Sequence, residues 1–372
     1  MPISVFPVTE RFAAEVGDLD LSQPLDAETL QAVRDAFASY AVVVFPAQQL
    51  TIEQHLAFAS TFGPLETTVR LNMRDGKKLR VREEIADIAN FDAQGRVWLK
   101  NSRVRLFQMA NRLWHTDSSF KAPSAYASLL YARSVAPIGG HTEFADLRAA
   151  YDALPAATKE RLHGLIAEHS LIYSRGKLGF TTFTPEEKVA FTPVLRPLVR
   201  RIPESGRDSL YIASHIGRIR GIEDAQAQEL VDELTSHATQ RQFVYTHRWR
   251  VGDLVMWDNR CTMHRGTEFE DTRWPRDMHR ATTSDRIDAF GTQEQPSAVA
   301  ADYCGTNERI HGQDCGSHRG RERHRSRSRG TLCAGRHESR ACRCRGRAAG
   351  GCACLDPGKG RDRNRRAHGR DA

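Results

Sequence analysis

The stretch Trp114-His115-Thr116-Asp117-Ser118-Ser119-Phe120 sets an imidazole and a carboxylate two positions apart. If 114–120 is a strand, alternate residues leave the same face, and His115 and Asp117 project together. A histidine arriving from a distant strand would complete a facial triad of two histidines and one carboxylate. That triad leaves three adjacent metal positions open, the arrangement of non-haem Fe(II) oxygenases. So short a pattern also arises by chance, and alone it is better read as an ordinary core or surface histidine. A second triplet, His141-Thr142-Glu143, has the same spacing and competes for the role.

The segment Asp253–Gly266 strengthens the oxygenase reading. Asp253-Leu254-Val255-Met256-Trp257 reads as a strand and Asp258-Asn259 as a turn, after which Cys261-Thr262-Met263-His264-Arg265-Gly266 brings in a distant histidine. Arg276 and Arg280 follow within Arg276-Asp277-Met278-His279-Arg280-Ala281-Thr282. On a strand, Arg276, Met278, Arg280 and Thr282 share one face, and the two guanidinium groups leave the backbone about 13 Å apart. Two inward arginines near a metal suit two anionic ligands, each held in a bidentate fork. Two solvated arginines on an outer face are the plainer alternative. It is weakened because the opposite set, Asp277, His279 and Ala281, is not clearly apolar either.

The elements that must carry these residues alternate between helix and strand signals. Asp26 can cap a helix with Leu30, Val33 and Phe37 on one face. Ala41–Phe45 reads as a buried strand stopped by Pro46, and Thr51-Ile52-Glu53-Gln54 as a capping box opening a helix that ends before Gly63-Pro64. Residues 66–112 are polar and basic and read as a long loop or lid over the site. Asp146 and Asp224 are expected to cap helices running to Leu154 and about His237. Phe243–Tyr245, Asp253–Trp257 and Arg276–Thr282 read as strands. The expected architecture is mainly β with flanking helices, a sandwich or barrel rather than a doubly wound parallel sheet. No GxGxxG, Walker loop or GxSxG occurs.

Composition divides the 372 residues in two. Arg286–Ala372 carries 19 basic and 10 acidic residues, leaving 35 basic and 36 acidic in residues 1–285. The net charge of +8 therefore belongs to the tail, and a nucleic-acid-binding body is excluded. Of the 8 cysteines only Cys261 lies before residue 303. The body thus lacks a disulfide framework and is expected in a reducing, cytoplasmic compartment. With no signal-like N-terminus and no long apolar run, no membrane partner is expected, while a homo-oligomer is allowed. Residues 303–372 hold 17 Arg, 12 Gly and 7 Cys, with Tyr303, Ile310, Leu332 and Leu355 as their only large apolar side chains. Burying those four would yield roughly 6–12 kcal/mol. Ordering some 70 backbones costs on the order of 70–140 kcal/mol. An Arg-rich RNA-binding segment is one reading, with a nucleic-acid-binding protein as the corresponding function. A zinc module is disfavoured because Cys342-x-Cys344 and Cys352-x-Cys354 are too closely spaced. We favour a disordered tail arising from GC-rich codons read out of register, which the other two frames of the coding DNA would reveal as a more aliphatic ending. Truncation after about residue 290 is expected to leave activity and melting temperature nearly unchanged; a loss of several degrees would show that the tail packs on the body.

WHTDSSF, Gly139-Gly140-His141-Thr142-Glu143-Phe144, VMWDNRCTMHRG and the Arg276/Arg280 pair together resemble the TfdA/taurine dioxygenase family over about residues 1–285. Within it the chain is most like the aryloxyacetate-cleaving members. Arg148–Pro155, Ser205-Gly206-Arg207 and His237–Tyr245 add to the likeness. The resemblance implies a double-stranded β-helix (jelly-roll) core, with Fe(II) held by His115, Asp117 and His264. It implies 2-oxoglutarate and O2 as cosubstrates, with Thr142 and Arg276 contacting 2-oxoglutarate. It places Arg280, His215 and Arg70 toward a small anionic organic substrate. Arg70 stands near where a lysine is expected, and Arg218 replaces a second histidine near His215. The implied reaction cleaves the ether of an aryloxyacetate to a phenol and glyoxylate, with succinate and CO2. The alternative is the same chemistry on a sulfonate, an alkyl sulfate or an aryloxypropionate. Cys261 is read as a small buried hydrophobe with no catalytic role.

Overall fold

A computed structural model of the chain describes residues 3–67 and 80–285. Arg70 and the segment 286–372 lie outside them. Two sheets carry the architecture. The larger has seven strands in the order Ser4–Pro7, Ala13–Gly17, Val42–Phe45, Leu254–Asp258, Ala125–Ser134, Asp277–Ser284 and Ile85–Asp87. The smaller has three: Val244–His247, Thr142–Asp146 and Thr262–Gly266. Among the described strands, only Ala13–Gly17 against Val42–Phe45 is parallel. Two further antiparallel groups, Ile216–Ile219 with Ile166–His169 and Val194–Pro197, and Arg207–Leu210 with Val199–Ile202, complete the strands.

Alternation along the strands divides the apolar residues between layers. Val42, Val44, Leu130, Trp257 and Met278 meet Phe144 from the smaller sheet in one core. Val43, Leu129 and Met256 point the other way, onto Phe37 and Phe58 of the helices Ala27–Tyr40 and Ile52–Ser60. Ala145 and Met263 pack against Leu230 and Leu234 of the helix Asp224–Ala238.

Local chemistry explains the boundaries. The Asp26 carboxylate accepts the Thr29 N–H, and the first helix ends where Ala41 takes a left-handed φ of 58°. Thr51 and Gln54 cap one another. Asp146 accepts from Arg148 and Ala149 and caps a short helix, Leu147–Asp152. For the helix Asp224–Ala238 the cap is Glu223 rather than Asp224, which is the first helical residue.

Two expectations are corrected. Residues 114–120 form no strand: His115 makes a single antiparallel bridge, and a turn follows. The 66–112 segment is also not wholly loop. Ile85–Asp87 is the edge strand against His279–Ala281, and Ser102 caps a helix over Arg103–Gln108.

Candidate metal centre

The site forms where the bridge meets the smaller sheet. His115 and His264 exchange both backbone hydrogen bonds, 3.0 Å from His115 N and 2.8 Å from His264 N. Residues paired in this way project their side chains on the same face, and the two rings sit with centroids 4.2 Å apart. The chain then turns through Ser118, whose φ is 48°. Asp117 is the first residue of that turn, and its carboxylate lies beside both histidines. Its oxygens lie 3.8 Å from His115 Nε2 and 3.7 Å from His264 Nε2. One ligand atom from each residue falls within 4.8 Å of the others, and all three residues are buried.

The carboxylate is fixed from behind. Ser128 Oγ donates to Asp117 Oδ2 at 2.7 Å, and Asn259 Nδ2 donates to Ser128 Oγ at 2.9 Å. Asn259 Oδ1 accepts the Asp117 N–H and the Trp257 indole N–H. Arg280 Nη1 donates to Asp117 Oδ1 at 2.5 Å. Burial opposes ionisation of Asp117, but the opposing effects, the Arg280 charge first among them, outweigh it and hold its pKa down at about 2. Burial pushes both His115 and His264 below the usual imidazole range, so each is neutral and able to offer a lone pair. His115 Nδ1 lies 2.7 Å from the Leu113 carbonyl and must donate to it, which leaves Nε2 bare toward Asp117. Two neutral imidazoles and an ionised carboxylate fit an octahedral divalent iron with three positions left open.

The competing triplet is not gathered with a third ligand among the described residues. Glu143 pairs with Arg265 at 2.7 Å, and His141 takes part in no such cluster. Thr142 lies between them on the opposite face of the strand. It pairs with Gly266 and Phe144 pairs with His264, so Thr142 and Phe144 share the face of the ligand histidine. Trp249 Nε1 donates to Thr142 Oγ1 at 2.9 Å. Arg276 comes to the same neighbourhood just before its strand. Nη2 donates to the Gly140 carbonyl at 3.3 Å, and Nε is buried without a partner. Burial alone lowers its pKa to about 10. A desolvated guanidinium with no carboxylate partner among the described residues suits the carboxylate of a bound small anion.

Two adjoining cavities separate the arginines. Arg276 lines one with Gly140 and Phe269. Arg280 lines the other with Phe107, Phe120 and Leu171. Ile88, Gln108 and Asn111 border both. His215 is buried, its ring 4.8 Å from that of Phe120 and 6.1 Å from that of His115. Arg218 instead pairs with Asp224 on the surface, away from both cavities. Cys261 is buried and its thiol is pushed up to about 12, so it supplies no nucleophile. The sequence reading missed Ser128, Asn259 and Arg175, the last a buried arginine on the second cavity.

The Gly139-Gly140 turn is built into the Arg276 slot. Gly139 has φ 74°, and a Cβ there would run into the Glu268 carbonyl oxygen. Gly139→Ala is therefore expected to cost at least about 1–3 kcal/mol, with a fall of roughly 2–4 °C in melting temperature per kcal/mol. It should also raise the KM for 2-oxoglutarate, because Gly140 O holds Arg276. An unchanged melting curve would show that the turn tolerates a side chain.

Comparison with known proteins agrees with this geometry. A family model described as taurine catabolism dioxygenase TauD, TfdA family, matches residues 4–282. An alpha-ketoglutarate-dependent 2,4-dichlorophenoxyacetate dioxygenase of Cupriavidus pinatubonensis (strain JMP 134 / LMG 1197) is 44% identical over 286 residues, covering 77% of this chain and 99% of that protein. An (S)-phenoxypropionate/alpha-ketoglutarate-dioxygenase of Sphingobium herbicidovorans is 38% identical over 277 residues, covering 72% and 91%. The solved structure of AAD-2 in complex with Mn(II) and N-oxalylglycine is similar at a TM-score of 0.71 and 45% identity, covering 78% of this chain and 99% of that one.

Proposed function

The chain belongs to the TauD, TfdA family of alpha-ketoglutarate-dependent dioxygenases, which use Fe(II), 2-oxoglutarate and O2, and we propose that its prime substrate is an aryloxyacetate of the 2,4-dichlorophenoxyacetate kind. The observation that carries the substrate reading is the second cavity. A guanidinium on the rim of the metal site, Arg280, faces a space walled by Phe107, Phe120 and Leu171. That pairing of a cation with aromatic and aliphatic walls suits a carboxylate joined to an aryl ring. The 44% identical relative is named for this substrate class.

His115, Asp117 and His264 would hold the iron, and Thr142 and Arg276 the 2-oxoglutarate. When bound, these supply oxidative decarboxylation to succinate and CO2, coupled to hydroxylation of a C–H bond. The chain's own part is orientation and exclusion of water. Ser128 and Asn259 hold Asp117 in one rotamer. The Leu113 carbonyl fixes the His115 tautomer. Arg276 keeps 2-oxoglutarate in its own cavity, apart from the substrate. Arg280, with His215 beside Phe120, points the carbon next to the ether oxygen toward the metal. Once hydroxylated, that carbon belongs to a hemiacetal, which separates into a phenol and glyoxylate without a protein nucleophile.

The fold follows from the same reading: the two sheets are the halves of a double-stranded β-helix, with Phe144 and Trp257 packed between them. Residues 1–285 form the dioxygenase domain, and Glu66, Thr67 and residues between 84 and 112 border the two cavities. Succinate and phenol are to be followed together, with Fe(II) and 2-oxoglutarate, across aryloxyacetates, aryloxypropionates, sulfonates and alkyl sulfates. Equimolar phenol and succinate from an aryloxyacetate is the expected result. Turnover confined to a sulfonate or an alkyl sulfate would transfer the same chemistry to that substrate.

A further inference from the structure

Among the described residues, four of the six buried arginines are answered by a carboxylate or by two carbonyls. Arg148 pairs with Asp146, Arg260 with Asp258 and Glu204, and Arg200 with Asp285, while the half-buried Arg280 pairs with Asp117. Arg196 donates to the carbonyls of Ser119 and Lys121. The other two have neither a carboxylate nor a pair of carbonyl acceptors among the described residues. One is Arg276, assigned above to 2-oxoglutarate. The other is Arg175, on the short helix Leu171–Gly176.

Arg175 is only 8% exposed. Its sole side-chain hydrogen bond among the described residues runs from Nη1 to Ser174 Oγ at 3.3 Å, and its Nε is buried with no acceptor. The guanidinium lies over the Phe107 ring, 4.3 Å from its centre. Ser174 offers it little more. Its hydroxyl donates to the Leu171 carbonyl and accepts from His215 Nδ1, which must be the donor in that contact. Burial, reinforced by the nearby positive charge of Arg280, lowers the Arg175 pKa to about 10, and Asp117 offsets this only in part. The same cavity holds Lys121, but its ammonium is already bound to Glu66 at 2.7 Å. A guanidinium kept charged, desolvated and without an anion is costly. Here it opens onto the cavity in which the substrate is placed, beside a second arginine.

We propose that Arg175 is a second anion anchor of the prime-substrate cavity, sharing the carboxylate of the substrate with Arg280 and making a negatively charged head group a requirement for binding. The proposal rests on the assignment of that cavity to an aryloxyacetate. Arg280 divides its donors between Asp117 and the ligand, whereas Arg175 has a planar fork largely free for it. Phe107 holds that fork flat and at the same time continues as the wall for the aryl ring. Arg175 thus joins the head-group and ring subsites in one contact.

The test uses the full chain loaded with Mn(II) and N-oxalylglycine, with dissociation constants measured by calorimetry. Arg175→Met is expected to weaken 2,4-dichlorophenoxyacetate by roughly 10²- to 10⁴-fold. It should leave N-oxalylglycine within about threefold and bind the neutral 2,4-dichlorophenoxyethanol as the parent does. Arg175→Lys should recover part of the loss. The melting temperature of the unliganded Arg175→Met protein should hold or rise, because an unpaired buried charge has been removed. A merely structural arginine would lower it. Unchanged affinity for the acid, or a loss directed at N-oxalylglycine instead, would overturn the proposal. If the parent binds a sulfonate or an alkyl sulfate instead, and Arg175→Met weakens that anion, the anchor stands and only the aryloxyacetate assignment falls. A parent protein that binds none of these anions overturns both.

Discussion

His115→Ala, Asp117→Ala and His264→Ala are each expected to abolish turnover, with succinate formation lost along with product. Each removes one of three protein ligands from a metal that keeps its other positions for small molecules. Partners one step further out typically cost 10- to 100-fold in metal affinity when removed, so loss of a ligand itself should exceed that range. A Mn(II) titration of each variant measures this directly. The three differ in what else they disturb. His264→Ala opens space beside Trp257 and Phe144, whose rings stand 4.6 and 6.1 Å from the imidazole. Asp117→Ala strips Arg280 of its anion and leaves Ser128 and Asn259 without the group they orient. The metal-free Asp117→Ala protein should therefore melt lower than Asp117→Asn, which keeps the volume and one acceptor. His141→Ala is the control, since Glu143 is engaged by Arg265 and no third ligand gathers there among the described residues. Its activity should stay within a few fold of the parent. Equal loss in His141→Ala, together with an active Asp117→Ala protein, would mean that the iron sits at the other triplet.

Residue order offers two triplets of the right spacing, His115-x-Asp117 and His141-x-Glu143. Only the family resemblance chooses the first and joins His264, Arg276 and Arg280 to it, and the clustering of His115, Asp117 and His264 agrees with that choice. The capped helices and the strand Val42–Phe45 were legible in the sequence itself, since caps and buried β-branched runs are local signals. What failed was geometry that depends on distant partners. Residues 114–120 carry an alternating pattern, yet His115 has only one backbone partner, His264, which no local window contains. The ten-residue strand Ala125–Ser134 sits between two neighbours in the larger sheet, with Leu129 turned toward the helices and Leu130 toward the smaller sheet. Buried on both faces, it has no polar alternation to betray it. In the 66–112 segment, charge density reads as loop, but Arg80 pairs with Asp87 and Asp277, and Arg105 with Asp271. Paired charge, invisible in composition, is what lets so polar a segment carry a strand and a helix. Arg175 escaped notice because nothing distinguishes one arginine from 54 basic residues until its missing acceptor is seen.

Arg276→Ala and Arg280→Ala are expected to separate the two anions of the reaction. Both side chains turn inward, but into different cavities, Arg276 beside Gly140 and Arg280 beside Phe107 and Phe120. Loss of a largely desolvated, charge-assisted pair costs about 3–5 kcal/mol, or roughly two to four decades in affinity. Arg276→Ala should accordingly raise the KM for 2-oxoglutarate, and do so with every prime substrate. Arg280→Ala should leave 2-oxoglutarate near normal and weaken the aryloxyacetate. The second change has a further consequence. Arg280 also holds Asp117 from one side, while Ser128 holds it from the other, so the metal site survives but the substrate carbon is no longer aimed at it. Succinate should then form in excess of phenol, an uncoupling that Arg276→Ala does not produce. Lysine at either position should restore only part of the loss, since it brings charge without a planar fork. KM values for both ligands and the phenol-to-succinate ratio, measured on each variant, decide the matter. If both variants shift the same ligand, the two cavities do not divide the work. If neither shifts any, the two arginines serve the fold rather than the reaction.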